Sequence, residues 1–286
     1  MQDPSDIPNA GFEYVFAATT GRAGSHRLTA ALGACEGVFA THESEPTMDG
    51  RLMRWALTGQ FPADFLAQRF TMSMRATRER SRCAIRADIS KVFIKWYGEH
   101  ALRRLGEDRC LVIRLRREPI EVMRRLLEDG AVPGGAFGDL WSTHWMGDPA
   151  WDGCRVPVEP CSAEEAVAWH VVETIVRGEE LAERMPRLRL ADLAFDTISD
   201  PEALAAWLTS HGLVPGAAFD AALANVPLER PMRPGRGIES TDAALRSAWR
   251  EVVESAAARG LIAADLAGEL ESSPESFGRD RRTEAA

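Results

Sequence analysis

An apolar strand, a glycine turn and a helix follow one another in residues 15–32, VFAATTGRAGSHRLTAAL. The strand breaks at Gly21 and Gly24, and helical spacing resumes after them. A turn of this kind can hold a phosphate, because the N–H groups and the dipole at a helix start favour an anion. The turn has no lysine, so Arg22 and Ser25 are its candidate side-chain donors. The alternative is a turn that needs glycine only for its backbone conformation.

The rest of the chain alternates predicted strands with predicted helices. Strands are predicted at Tyr14–Thr19, Val38–Thr41, Leu111–Leu115 and within CAIRADI and RLRLADL. Helices are predicted over 50–80 and 241–272 and within WYGEHALRRLG, EPIEVMRRLLEDG, AEEAVAWHVVETIVRGEELAERM and DPEALAAWLTSHGL. This alternation predicts a three-layer α/β/α fold with a central parallel sheet and a phosphate-binding strand-loop-helix. Ligands bind beyond the carboxyl ends of such strands, so residues 20–27, 41–46 and 116–118 should lie at one edge.

Length and composition set the domain organisation. The 286 residues fit one large domain, which we place at 12–272. We expect an N-terminal tail over 1–11 and a disordered tail over 273–286. Residues 131–162 are rich in tryptophan, glycine and proline, and we interpret them as a long irregular loop.

Charge and cysteine content exclude several classes of function. A net charge of −9 lacks the basic footprint of a nucleic-acid binder. The five cysteines are odd in number and show no CxxC spacing, which argues against a disulfide framework or a zinc site and fits a reducing cytoplasm. The N-terminus does not resemble a signal peptide, and no apolar run reaches the ~18 residues of a membrane span. We therefore expect a cytoplasmic protein. The sequence does not decide between a monomer and a homo-oligomer.

An arginine cluster ends the predicted strand LVIRLR. Arg116 and Arg117 lie where a second phosphate could be clamped by a bidentate contact. The alternative is a solvated basic face paired with Glu118 and Glu121.

Three titratable residues follow the short strand near Val38. His42, Glu43 and Glu45 are each candidate general bases. The alternative is that the carboxylates are ordinary exposed residues of a turn.

Taken together, these segments resemble the bacterial type of sulfotransferases that use 3′-phosphoadenosine 5′-phosphosulfate. The family's G-R-S-G-T-x-x-L loop, which binds the 5′-phosphosulfate, is similar to Gly21-Arg22-Ala23-Gly24-Ser25-His26-Arg27-Leu28. Its acidic EP or HEP segment is similar to residues 42–46, HESEP, and its R-D-P element, which binds the 3′-phosphate, to Arg117-Glu118-Pro119. RLRLADL resembles a late R-x-E-D-L element. Arg233, Arg236 and Gly237 lie where many members carry an Arg-Gly loop that closes over the nucleotide. The resemblance covers most of residues 12–240.

One position departs from the family pattern. Members commonly have a serine eight residues after the R-D-P arginine, as a second ligand of the 3′-phosphate, and this chain has Arg125 there. Whether Arg125 replaces that serine is open at this point.

The resemblance implies transfer of a sulfuryl group to a hydroxyl or amine without a metal. Arg22 would stabilise charge on the transferred group. Glu43 or Glu45 would accept the acceptor's proton, with a preference for Glu43 because it follows His42 as in HEP, and His42 is the third choice. Two rival interpretations remain: a P-loop kinase, which would need a loop lysine and an acidic magnesium ligand, and a nucleotide-binding module without turnover.

The tryptophan-rich loop offers candidates for the acceptor site. Trp141, His144 and Trp145, with Trp151, would border a small-molecule acceptor that is apolar or neutral, such as a lipid, a glycoside or an aromatic compound. The alternative is that these tryptophans pack the loop onto the domain.

Overall fold

A five-stranded, fully parallel sheet forms the centre of the protein. The computed structural model describes residues 10–44, 62–133, 162–229 and 237–272. The strands are β1 Tyr14–Ala18, β2 Val38–His42, β3 Ile85–Ile89, β4 Cys110–Arg116 and β5 Arg189–Ala194, in the order β2-β3-β1-β4-β5. The chain leaves β1 toward one edge and later crosses to β4 on the other side. This reversal puts a topological switch point at the carboxyl end of β1, where α/β sheets bind ligands.

Helices cover both faces of the sheet. They are α1 Ser25–Gly33, α2 Ala63–Ser81, α3 Gly98–Leu105, α4 Pro119–Glu128, α5 Ala163–Arg184, α6 Phe195–Ser199, α7 Pro201–Ser210, α8 Phe219–Ala224, α9 Asp242–Ala258 and α10 Ala264–Ser272. A π-helical turn, Phe93–Tyr97, precedes α3, and a short 3₁₀ segment, Glu107–Arg109, precedes β4. The predicted α/β fold with a central parallel sheet is therefore confirmed.

Strand β1 shows why both faces are covered. All five of its residues are buried, as expected for a parallel strand with helices on each side. Val15 and Ala17 pack with α1 and α7, whereas Phe16 faces α2 and stacks on Phe93 with ring centroids 4.4 Å apart. A further apolar cluster joins α5 to α4, α9 and α10.

The observed bounds of the strands agree closely with those predicted from the sequence. The π-helical turn, α6 and α8 were not predicted, and the predicted helix over 241–272 is two helices. Residues 50–61, most of the predicted loop over 131–162 and the tail over 273–286 lie outside the described residues. None of the described helices is long and apolar enough to cross a membrane.

Candidate anion-binding site

The turn between β1 and α1 lies at the switch point of the sheet. Gly21 and Gly24 have positive φ angles of 79° and 88°, which glycine adopts without the steric cost of a Cβ atom. Gly24 is the N-cap of α1 and supplies no side-chain cap, and the first turn of α1 holds no acidic residue. Helices α4, α5, α7 and α9 have side-chain caps, whereas α2, α3, α6 and α8 have none, as α1 has none. An anion at the start of α1 would therefore accept from N–H groups that no capping side chain satisfies.

A lysine reaches this turn from the neighbouring strand. Lys91 follows β3, and a Cβ atom added at Gly21 would lie 3.8 Å from Lys91 Cδ. The turn therefore has a lysine beside it, although its own sequence has none. Lys91 was not among the residues predicted from the sequence; the available signal was its position just beyond the carboxyl end of a buried strand.

Arg22 joins the turn to helix α4 through both its backbone and its side chain. Its φ angle is 55°, which is unusual for a residue with a side chain. Its guanidinium forms an ion pair with the buried carboxylate of Asp129, at the end of α4. Its carbonyl oxygen accepts a hydrogen bond of 2.6 Å from Arg117 Nη1. The predicted first and second phosphate sites are thus in direct contact.

Arg117 and Arg125 converge on one carboxylate. Arg117 Nη2 pairs with Glu229 Oε1, and Arg125 Nη2 lies 2.6 Å from Glu229 Oε2. Arg117 is mostly buried and its guanidinium lies 3.9 Å from the centre of the Phe195 ring. Burial lowers the pKa of Arg117, and the bond to Glu229 opposes that shift. Arg125, the residue that departs from the family pattern, therefore shares an anionic partner with Arg117.

His42 packs against the start of α1. Its Nε2 lies 3.1 Å from Ser25 Oγ, and its ring stacks on His26 with centroids 3.7 Å apart. Glu43 comes next in the chain, with a φ angle of 50°. A non-glycine residue in this conformation costs free energy, and such residues concentrate at functional sites.

A buried network fixes the turn that carries Glu43. Arg86 Nη2 donates to Thr41 Oγ1 over 2.6 Å, and Thr41 Oγ1 donates to Asp88 Oδ1 over 3.0 Å. Asp88 Oδ1 also accepts from the backbone N–H of Ser44. Asp88 thereby holds the residues on both sides of Glu43 in place.

A second buried network supports the glycine turn from below. His170 Nε2 lies 3.0 Å from the carbonyl oxygen of Thr20, and its Nδ1 lies 2.8 Å from Lys95 Nζ. Lys95 in turn pairs with Glu173 at 3.1 Å. Burial, with Lys95 and Lys91 nearby, holds the pKa of His170 well below its ordinary value of 6.5. A neutral His170 that donates to Thr20 and accepts from Lys95 fits both contacts, and it fixes the direction of the Thr20 carbonyl.

The low pKa of His170 has a measurable consequence for stability. Below about pH 6.5 the unfolded chain binds a proton at this residue that the native state does not bind, so the free energy of unfolding falls as the pH falls. Between about pH 7.5 and about pH 5.5 the wild type should lose about 1.4 kcal/mol relative to His170→Gln, which cannot titrate. Urea unfolding at both pH values measures this difference. Equal losses in the two proteins would show that His170 titrates normally in the native state.

Other predicted residues have structural contacts. Ala23 is fully buried under the turn. Arg27 donates to three backbone carbonyls, those of Ile198, Leu223 and Val226, and so braces α6 and α8 against α1. Arg116 pairs with Asp192 and Glu179. Gly237 is packed so closely on α4 that a Cβ atom there would lie 2.5 Å from the carbonyl oxygen of Glu128. Glu45, Trp141, His144, Trp145, Trp151, Arg233 and Arg236 lie outside the described residues.

The chain matches no protein-family model, no curated protein and no solved structure. Within the described ranges, no group of three or more histidine, cysteine or acidic residues could hold a metal ion. The chemistry of the site must therefore be inferred from this chain's own residues.

Proposed function

We propose that the protein is a sulfotransferase that moves a sulfuryl group from 3′-phosphoadenosine 5′-phosphosulfate to a hydroxyl or amine of a small molecule, glycoside or lipid. The observation that carries the proposal is the hydrogen bond from Arg117 to the carbonyl of Arg22. It joins a helix N-terminus without a side-chain cap to a mostly buried arginine. A donor with phosphates at both its 5′ and 3′ positions needs two anion sites within the span of one nucleotide, and this bond makes the segments that carry them neighbours.

The residues present fit such a donor. The N–H groups at the start of α1, with Ser25 and Lys91, would hold the 5′-phosphosulfate. Arg117 and Arg125 would hold the 3′-phosphate, since their guanidinium groups already share one carboxylate. Arg125 then takes the role that a serine has in the family the sequence resembles.

The chemical step needs only positioning, charge stabilisation and a base. The acceptor oxygen attacks sulfur in line, the bond between sulfur and the 5′-phosphate oxygen breaks, and the acceptor's proton passes to a carboxylate. Arg22, the residue predicted for charge stabilisation, already pairs with Asp129. Lys91 and the α1 N–H groups would therefore stabilise the negative charge that develops on the leaving phosphate. Glu43 is the base we favour, because Ser25 and His26 already engage the ring of His42.

The cysteines support placing this reaction in a reducing compartment, which we take to be the cytoplasm. Cys35, Cys83 and Cys110 are free thiols. Burial raises the pKa of both Cys35 and Cys110 to about 12, which keeps these thiols protonated and unreactive.

Calorimetric titration with 3′-phosphoadenosine 5′-phosphate, compared with ATP plus magnesium, tests the proposal. Binding of the bisphosphate without binding of ATP supports a sulfotransferase. Binding of ATP alone would overturn the proposal in favour of a kinase, and binding of neither would withdraw the function while leaving the fold. Release of the bisphosphate from the sulfated donor, in the presence of simple phenol, sugar and long-chain alcohol acceptors, then tests turnover.

Replacing Arg117 by alanine should weaken binding of the bisphosphate by about 30-fold, or about 2 kcal/mol, because a charge-assisted bidentate contact is lost. Arg124→Ala is the matched control. Arg124 lies on α4, next to Arg125, and pairs with Glu121 and Asp242 rather than with Glu229. An unchanged dissociation constant for Arg117→Ala would remove Arg117 from the site.

A further inference from the structure

Glu229 is the carboxylate that holds Arg117 and Arg125 together. Its two oxygens are divided between the two guanidinium groups, with Oε1 on Arg117 and Oε2 on Arg125. Two arginines that pair with one carboxylate form the arrangement expected around a bound anion. Glu229 therefore lies where the proposed 3′-phosphate would bind.

Glu229 differs from the other carboxylates around this arginine pair. Glu121 and Glu128 lie on α4 itself, three or four residues from their arginine partners, and the helix fixes their positions. Glu229 lies beyond α8, outside any helix or strand, and its side chain is 32% exposed. Of these three carboxylates, Glu229 can leave the pair with the least rearrangement.

Arg117 would keep its position if Glu229 left. Its Nη1 donates to the carbonyl of Arg22, and its guanidinium lies over the ring of Phe195. These contacts do not involve Glu229. Arg117 is thus held without Glu229, and an incoming anion has to replace only that carboxylate while Glu121 stays beside Arg117 and Arg125.

We propose that Glu229 is an internal competitor that makes nucleotide binding depend on the 3′-phosphate. This inference rests on the proposed function. A phosphate monoester carries close to two negative charges and three acceptor oxygens, so it displaces a carboxylate that carries one charge and two oxygens. A nucleotide without a 3′-phosphate has nothing to exchange for Glu229. The competition also lowers the apparent affinity of every ligand that must displace the carboxylate.

Titration of the full-length wild type, Glu229→Gln and Glu128→Gln with two probes tests the inference. The probes are 3′-phosphoadenosine 5′-phosphate and 5′-AMP, which lacks the 3′-phosphate. Glu229→Gln should bind the bisphosphate about tenfold more tightly than the wild type, while its affinity for 5′-AMP stays the same. Glu128→Gln removes a partner of Arg125 at 3.2 Å and should change either affinity by less than about twofold. Glu229→Ala, titrated in the same way, replaces Glu229→Gln if thermal unfolding shows that the glutamine variant is not folded.

The outcomes separate this inference from the proposed function. If the wild type binds the bisphosphate and Glu229→Gln binds it with equal or weaker affinity, the competitor role is overturned and the proposed function stands. An equal gain in affinity for 5′-AMP would also overturn the competitor role, because the gain would then come from the change in net charge rather than from the 3′-phosphate. If Glu229→Gln binds the bisphosphate and the wild type does not, the result would support the inference, because Glu229 would then block bisphosphate binding completely. Bisphosphate binding to neither protein would overturn both proposals.

Discussion

Glu173→Ala should lower the free energy of unfolding by about 3–5 kcal/mol, because it removes one partner of a buried ion network. Glu173 is fully buried in α5 and accepts from both Lys95 and Arg177. Without it, the fully buried ammonium of Lys95 loses the carboxylate with which it pairs. Burial already lowers the pKa of Lys95, and Glu173 is the group that opposes this shift. Denaturant unfolding measures the loss.

Two further variants show whether unpaired charge is the cause. Glu183→Ala changes an exposed glutamate on the same helix and should alter stability by less than about 0.5 kcal/mol. The double variant Lys95→Met with Glu173→Leu should recover part of the loss, since an apolar pair of similar volume leaves no charge unpaired at Lys95. A double variant less stable than Glu173→Ala would show that packing, rather than charge, explains the loss.

This network also connects the core to the candidate anion-binding site. Lys95 lies between Glu173 and His170, and His170 holds the carbonyl of Thr20. The glycine turn itself has few side chains with which to fix its own direction. We therefore expect changes at Glu173 to loosen the anion site as well as to destabilise the fold.

The parallel sheet could be predicted from the sequence because its central strands β1 and β4 are largely apolar runs and the strands alternate with helices along the chain. In β1 and β4 nearly every position is buried, so the run is continuous and easy to locate. The rule that ligands bind at the carboxyl edge then placed Gly21, Arg117 and Glu43 at one end of the sheet before any contact was known.

Residues whose role depends on distant packing could not be predicted. The place of Lys91 after β3 indicates the edge of the sheet at which it lies, but not that it is a neighbour of Gly21. No local signal marks His170 as the partner of Thr20, since that contact arises only when α5 packs beside the turn. The pairing of Glu229 with Arg117 joins segments on opposite sides of β5 in the chain. Such contacts have no periodic signature, because they follow from how the layers assemble.

If the proposed function holds, Glu43→Gln should reduce the rate of sulfuryl transfer by about 10²- to 10⁴-fold, the usual contribution of a positioned general base. The affinity for 3′-phosphoadenosine 5′-phosphate should change by less than about twofold, because glutamine keeps the size and backbone conformation of Glu43 and the anion site is untouched. Turnover of the sulfated donor is measured with whichever acceptor of the phenol, sugar and alcohol set reacts.

The controls for this variant distinguish the base from the rest of the site. Glu36→Gln changes an exposed carboxylate after α1 and should leave turnover unaffected. A large loss in Glu45→Gln with normal turnover in Glu43→Gln would assign the base to Glu45 instead. We expect the loss in Glu43→Gln, because Asp88 bonds to Thr41 and to the backbone of Ser44 and so holds the turn in which Glu43 has its positive φ angle.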